Sequence, residues 1–167
     1  MSDSSTKQHA PQVDPSHYDF FRYVRRERMI NYYRQVKSVL SFAPESVLEI
    51  GVGDSLVTNI LKMSVPSVTT CDIDAALKPD FVASVVKLPF KDEEFDVVLC
   101  SEVLEHIKFE EAQDALKEIY RTSKKGAVIG VPHAGAVISL SLKLPLLPRI
   151  KIFTKIPFFW KKHKFNG

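Results

Sequence analysis

The sequence predicts an α/β fold built on a doubly wound parallel sheet. Three observations carry that expectation. Short, mostly apolar runs such as Val47-Leu48-Glu49-Ile50 and Val97-Val98-Leu99 alternate with stretches whose apolar residues recur at helical spacing. The first run breaks at Gly51 and Gly53 into a helical pattern, a strand, turn and helix start that can cradle a ligand. Asp72 then closes the next run about 20 residues further on.

Composition sets the frame for these elements. With 167 residues, 45% hydrophobic and 26% charged, the chain can build one domain with a real core and is short for two. No apolar run reaches the ~18 residues of a membrane span, and residues 1–14 lack the apolar heart of a signal peptide, so a cytoplasmic location is expected. The two cysteines, Cys71 and Cys100, fall at expected strand ends as reduced thiols, without metal-ligand spacing, and no metal is expected.

In chain order, residues 1–15 have almost nothing to bury and read as a disordered tail. Residues 16–43 read as a helical cap, with Phe20, Tyr23, Val24, Met29, Ile30, Tyr33, Val36, Val39 and Leu40 at spacings of three and four. Its other face carries Arg22, Arg25, Arg26, Arg28, Arg34 and Lys37; a solvated face explains them better than a nucleic-acid surface, and no nucleic-acid partner is expected. Pro44 opens the core, expected to run over 44–133. Ser46 to Ile50 is the first strand, and Ser55 to Met63 the first helix behind its glycine turn.

The ligand of that turn can be narrowed from the residues alone. A dinucleotide fingerprint wants a third glycine at position 56, where this chain has Leu56, so a nicotinamide oxidoreductase is disfavoured. Glu49, two residues before Gly51, would repel a pyrophosphate and suits an ammonium group. An amino-acid zwitterion joined to a nucleoside fits, with Asp72 placed to accept hydrogen bonds from ribose hydroxyls and Asp74 as its neighbour. Val68 to Asp72 is the second strand, Asp80 to Phe90 the segment around the third, Phe95 to Cys100 the fourth, Phe109 to Ser123 an amphipathic helix, and Ala127 to Val131 the fifth strand. In that helix Ala112, Ala115, Leu116, Ile119 and Tyr120 form the expected buried face, Glu111, Asp114, Lys117, Glu118 and Arg121 the solvent face, and Gly126 the expected cap at its end.

Across 46–133 the chain resembles the class I S-adenosylmethionine-dependent methyltransferases, in particular the small-molecule type whose first motif is E/D-x-G-x-G-x-G; here Ser55 stands at the third glycine. The resemblance rests on four blocks in order: Glu49-x-Gly51-x-Gly53, Asp72, Leu88-Pro89-Phe90, and Phe95-Asp96-Val97-Val98 leading to Val103-Leu104-Glu105-His106-Ile107. It implies a Rossmann-like sheet of strand order 3-2-1-4-5, with the sixth and seventh strands of that fold missing from this chain. S-adenosyl-L-methionine is the implied cofactor, and Glu49, Gly51, Val52, Gly53, Asp72, Ile73, Ser84, Val85, Cys100 and Ser101 are the implied cofactor-binding residues. Ser84 takes the place of the family's acidic residue at the adenine amino group, where a neutral hydroxyl accepts more weakly. The resemblance also sets Tyr18, Phe21 and Tyr23 over the cofactor mouth. His106, with Glu102 and Glu105 beside it, and His133 at the exit of the fifth strand are the catalytic candidates.

Residues 134–167 carry Lys143, Arg149, Lys151, Lys155, Lys161, Lys162 and Lys164 among Leu, Ile, Phe and Trp, without an acidic residue. Prolines 145, 148 and 157 forbid one long helix. Two readings stand: a lid on the substrate pocket, and a membrane-surface contact through 140–165, both consistent with a small, lipid-like or anionic acceptor. A bare fifth-strand edge would favour self-association. The alternative function is a truncated or non-catalytic cofactor-binding relative, motivated by Ser55, Ser84 and the missing strands.

Overall fold

The computed structural model describes residues 23–132, 135–142 and 150–157. In order these form α1 (Arg26–Leu40), β1 (Ser46–Ile50), α2 (Leu56–Lys62), β2 (Ser67–Asp72), a single turn of 3-10 helix (Ala75–Leu77), β3 (Phe81–Val82) and β4 (Phe95–Ser101). A second 3-10 turn (Leu104–His106), α3 (Phe109–Thr122), β5 (Ser123–Gly130), β6 (Gly135–Leu142) and β7 (Ile150–Pro157) follow. The chain divides after Val131 into two compact units.

The first unit is a five-stranded sheet in the order β3-β2-β1-β4-β5, every pair parallel. Both faces are covered, which is why β1 and β4 read as nearly continuous apolar runs. Because side chains alternate, Val47, Val97 and Leu99 join Tyr32, Val36 and Val39 of α1 and Val57 and Leu61 of α2 on one face. Leu48, Ile50, Val98 and Cys100 join Ala115 and Ile119 of α3 on the other. Helices on opposite faces leave the carboxyl ends of the strands open, where ligands enter folds of this kind. The second unit contains the antiparallel pair β6–β7, with Gly135 opposite Pro157 and Leu142 opposite Ile150.

Several boundaries and faces differ from the sequence expectation. The third strand is only Phe81–Val82, and the chain entering it is held by a side-chain clasp: Asp80 accepts from the Thr70 N–H at 2.8 Å and from its hydroxyl at 2.7 Å. Gly126 does not cap α3. Strand β5 begins at Ser123, and the register slips between Phe95 and Val97, so Gly126 sits in a β-bulge. Along α1 the buried stripe is Tyr32, Val36 and Val39, leaving Met29, Ile30 and Tyr33 exposed. On α3, Leu116 and Tyr120 are exposed while Arg121 and Glu118 turn inward. Among the described residues no helix is long and apolar enough to cross a membrane.

Candidate functional site

One cavity of about 200 Å³ opens at the carboxyl end of the sheet, between α1, the turn after β1, and the exits of β2 and β4. Its floor is the glycine turn. Gly51 sits at φ 86°, donates its N–H to the Cys71 carbonyl at 2.9 Å, and faces Val103 so closely that a Cβ would collide with that side chain. Only glycine meets both demands. Ser55 lies in the same left-handed region at φ 61°, an unfavourable conformation for a residue with a Cβ. The start of α2 is less open than its sequence suggests: Asp54 already accepts the Leu56 N–H at 3.1 Å, and a carboxylate there repels an anion.

Three carboxylates surround this turn. Glu49 is 4% exposed and accepts from the Thr58 hydroxyl at 2.5 Å. Burial, first, pushes its carboxyl up to about 7; Asp54 adds to the rise, while Thr58 and Lys62 oppose it. A carboxyl so buried holds a full charge only where a cation or hydrogen-bond donors meet it. Asp72, at the end of β2, accepts from the Val52 N–H at 2.8 Å and from the Asp74 N–H at 2.9 Å, so it fixes the glycine turn and its own. Asp54 accepts from the Tyr32 hydroxyl at 2.7 Å, tying α1 to the turn.

Glu49, Gly51, Val52, Gly53 and Asp72 all line the cavity. So do Ile73, Ser84, Val85 and Ser101, together with His106. Cys100 does not. It is fully buried on the α3 face among Leu48 and Val98, because the period-two alternation that turns Leu99 and Ser101 to the cavity turns Cys100 away. His133, Tyr18 and Phe21 lie outside the described residues.

The β4 exit forms the wall opposite Asp72. Gln35 of α1 donates to the Ser101 hydroxyl at 2.8 Å, and Gly130 of β5 has no room for a Cβ against that hydroxyl. Glu102 follows at φ 57°, its N–H donating to the Gly130 carbonyl at 2.9 Å. Its carboxyl is raised by desolvation and then by Glu105, against Arg28 and His106. One carboxylate oxygen of Glu105 is buried without a hydrogen-bond partner. Arg28 stands 3.8 Å over the Tyr23 ring and donates to its hydroxyl at 2.8 Å.

The far end of the cavity, at Ser84 and Val85, is held from outside by α3. Arg121 grips both oxygens of Glu118 at 2.8 Å, the Phe90 carbonyl at 2.7 Å and Asp92 at 2.9 Å, and Glu118 in turn accepts the Leu88 N–H at 2.8 Å. That latch fixes the Leu88-Pro89-Phe90 loop. Sequence reasoning missed it, and missed Tyr32, Gln35 and Asp54. A signal existed for the first: a Glu and an Arg three apart beside an inward face can pair and bend over the helix edge.

Residues 48–131, half of the chain, match the family model described as a methyltransferase domain (Methyltransf_11). The uncharacterized protein MJ0638 of Methanocaldococcus jannaschii is 41% identical over 85 residues, 51% of this chain and 35% of that protein. The chain thus spans about a third of that relative's length. Among solved structures, the sugar N-methyltransferase KedS8 from a Streptoalloteichus species superposes with TM-score 0.60 at 16% identity, over 86% of this chain and 66% of that one. The amino pentose methyltransferase CalS10 from Micromonospora echinaspora, solved with S-adenosylmethionine bound, gives TM-score 0.55 at 12% identity over 68% and 57%. At these identities the likeness to both structures is one of fold.

Proposed function

Since this chain belongs to the methyltransferase-domain family, whose cofactor is S-adenosylmethionine, we propose that it moves a methyl group from that donor to a small acceptor seated between α1 and the exit of β4. The observation that carries this reading is the convergence of Glu49, the bare backbone of Gly51 and Asp72 on one cavity. The residues fit the donor. Glu49 offers the donor's ammonium a buried carboxyl that ionises on pairing, the missing Cβ of Gly51 leaves room for close backbone approach, and Asp72 keeps lone pairs for a ribose. Ser84 and Val85 serve an adenine ring, the first as a neutral acceptor and the second as a buried apolar surface.

When bound, the donor supplies a methyl already activated on a positive sulfur, so the chain's work is to bind, orient and exclude water. Tyr32, through Asp54, holds α1 down over the mouth, and Gln35 does the same at Ser101. His106 lines the acceptor end, its N–H closing the turn on the Val103 carbonyl at 2.9 Å. The acceptor reading departs from the lipid-like or anionic molecule that residues 140–165 suggested. Carboxylates dominate the described cavity, and they favour a neutral or cationic guest.

Calorimetry with S-adenosylmethionine, S-adenosylhomocysteine and NAD tests the donor assignment. The two sulfur nucleosides should bind and NAD should not. Glu49→Ala and Asp72→Ala should each weaken uptake by about tenfold or more in a protein that still folds; unchanged affinity in both would overturn the reading. Turnover on an acceptor panel separates an enzyme from a cofactor-binding relative.

A further inference from the structure

A second cleft of about 220 Å³ opens between α1 and the exit of β5, and it shares one wall with the main cavity: Gln35, Ser101 and Glu102 line both. Two of the three are committed to each other, since Gln35 donates to Ser101 at 2.8 Å. Glu102 is not. Its carboxylate makes no hydrogen bond among the described residues, while its backbone is pinned in the left-handed region at φ 57° by the bond from its N–H to Gly130. A bulky residue kept in that conformation persists only where its surroundings impose it, and such strain gathers at working sites.

We propose that Glu102 is the acceptor-side catalytic residue, a carboxylate that holds an amine and takes up its proton, so that the site selects a primary or secondary amine. The inference rests on the donor reading of the main cavity. A donor lying along Glu49 and Asp72 and an acceptor entering from the cleft must meet at the shared wall, and Glu102 is the ionisable member of that wall.

The sign of the charge selects the nucleophile. Glu49, Asp54, Asp72, Asp74 and Glu102 line the main cavity, against Arg28 as its one arginine or lysine among the described residues. An alkylammonium is drawn to such a field and an anion is turned away. Charged nitrogen has no lone pair with which to attack. An N–H bond must break first, the proton passing to a Glu102 oxygen and the electron pair staying on nitrogen. That pair then forms the bond to the methyl carbon while the carbon–sulfur pair leaves with sulfur, and the proton departs to water from the exposed Glu102. The groups around Glu102 suit this task. Partial desolvation and then Glu105 raise its proton affinity, while Arg28 and His106 restrain the rise. Asn31 and Ser38 line the cleft and add hydrogen-bond partners for a polar body carrying the amine, with Arg34 the one arginine or lysine beside them among the described residues.

Sinefungin, a donor analogue with a primary amine on carbon in place of the methylated sulfur, probes this without turnover. Calorimetry at neutral pH should show the protein binding sinefungin about tenfold more tightly than S-adenosylhomocysteine, as a charge-assisted hydrogen bond to a part-exposed carboxylate warrants. Glu102→Gln should erase that preference and leave S-adenosylhomocysteine affinity within about twofold. Glu102→Gly, which suits the left-handed backbone and so should fold, should behave alike. A preference for sinefungin that survives both substitutions overturns the proposal. Failure of the unaltered protein to bind S-adenosylhomocysteine overturns the donor reading instead, and this proposal with it.

Discussion

Replacing Glu49 by glutamine removes one ionisation from the cavity and keeps its shape. In the donor-free protein the Glu49 carboxyl titrates at about 7, because burial penalises the charged form. An ammonium group needs that charge. If the donor's ammonium pairs with Glu49, binding should expel the proton that Glu49 holds: about 0.9 of a proton at pH 6, about half at pH 7 and about 0.1 at pH 8. Calorimetry of S-adenosylhomocysteine in phosphate and in Tris, whose ionisation enthalpies differ, reads that number from the difference in heat. Apparent affinity should weaken as pH falls below 7, approaching about tenfold per unit. Glu49→Gln should bind about 10- to 100-fold more weakly, as loss of a charged hydrogen bond implies, and release no proton at any of these pH values. The same shift has a stability signature. A carboxyl whose folded value lies above its ordinary 4.5 gives the folded state extra proton affinity, a contribution fully present below about 4.5 and lost above about 7. The loss amounts to about 3 kcal/mol, so donor-free protein should melt lower at pH 8 than at pH 5 by more than Glu49→Gln does. Proton release that stays flat from pH 6 to 8, with the donor product binding throughout, would refute the reasoning.

Other expectations are simpler to state. Ser55→Gly should raise stability by about 1 kcal/mol in chemical denaturation, since glycine relieves the left-handed φ of 61°. Arg121→Met should cost about 2–3 kcal/mol and weaken donor affinity, because it releases the loop behind Ser84 and Val85 while replacing no cavity-lining residue. Tyr32→Phe should cost about 1 kcal/mol and loosen α1, read as faster hydrogen exchange at the amides of the Gly51–Ser55 turn. Flotation with anionic liposomes should retain the protein if the basic apolar sequence of 140–165 meets a membrane surface, and recovery only in the unbound fraction would remove that expectation.

Strands buried on both faces announce themselves, and β1 and β4 lie within a residue of where their apolar runs place them. The same doubly covered sheet hides which residue points where. In Leu99-Cys100-Ser101 nothing in the composition says that the cysteine takes the α3 face, and only the phase set by Val97 and Val98 decides it. Short β3 was harder still, because a threonine and an aspartate ten residues apart in sequence do the holding that a ladder of backbone bonds does elsewhere. The glycine turn and its acidic partners were legible because their spacing is local. Contacts closing the mouth were not: Tyr32 reaches across 22 residues to Asp54, and Gln35 across 66 to Ser101.

Those distant contacts still leave a trace in α1, one that hydrophobic periodicity overlooks. Arg28, Tyr32 and Gln35 follow one another at steps of four and three, and Val36 and Val39 continue along the same stripe. A helix crossing a sheet edge keeps a single face inward along its length. Over the sheet that face must be apolar; over a cavity it meets a ligand and water, and polar atoms there can reach the carboxylates and hydroxyls of the site. Counting only apolar residues shifts the stripe to Met29, Ile30 and Tyr33, all of which the structure exposes. Extending the stripe backward from the deeply buried Val36 and Val39, through polar residues as well, points instead to Tyr32 and Arg28. Where the inward stripe changes from apolar to polar, the helix passes from core to cavity, and in this chain that change falls between Val36 and Gln35.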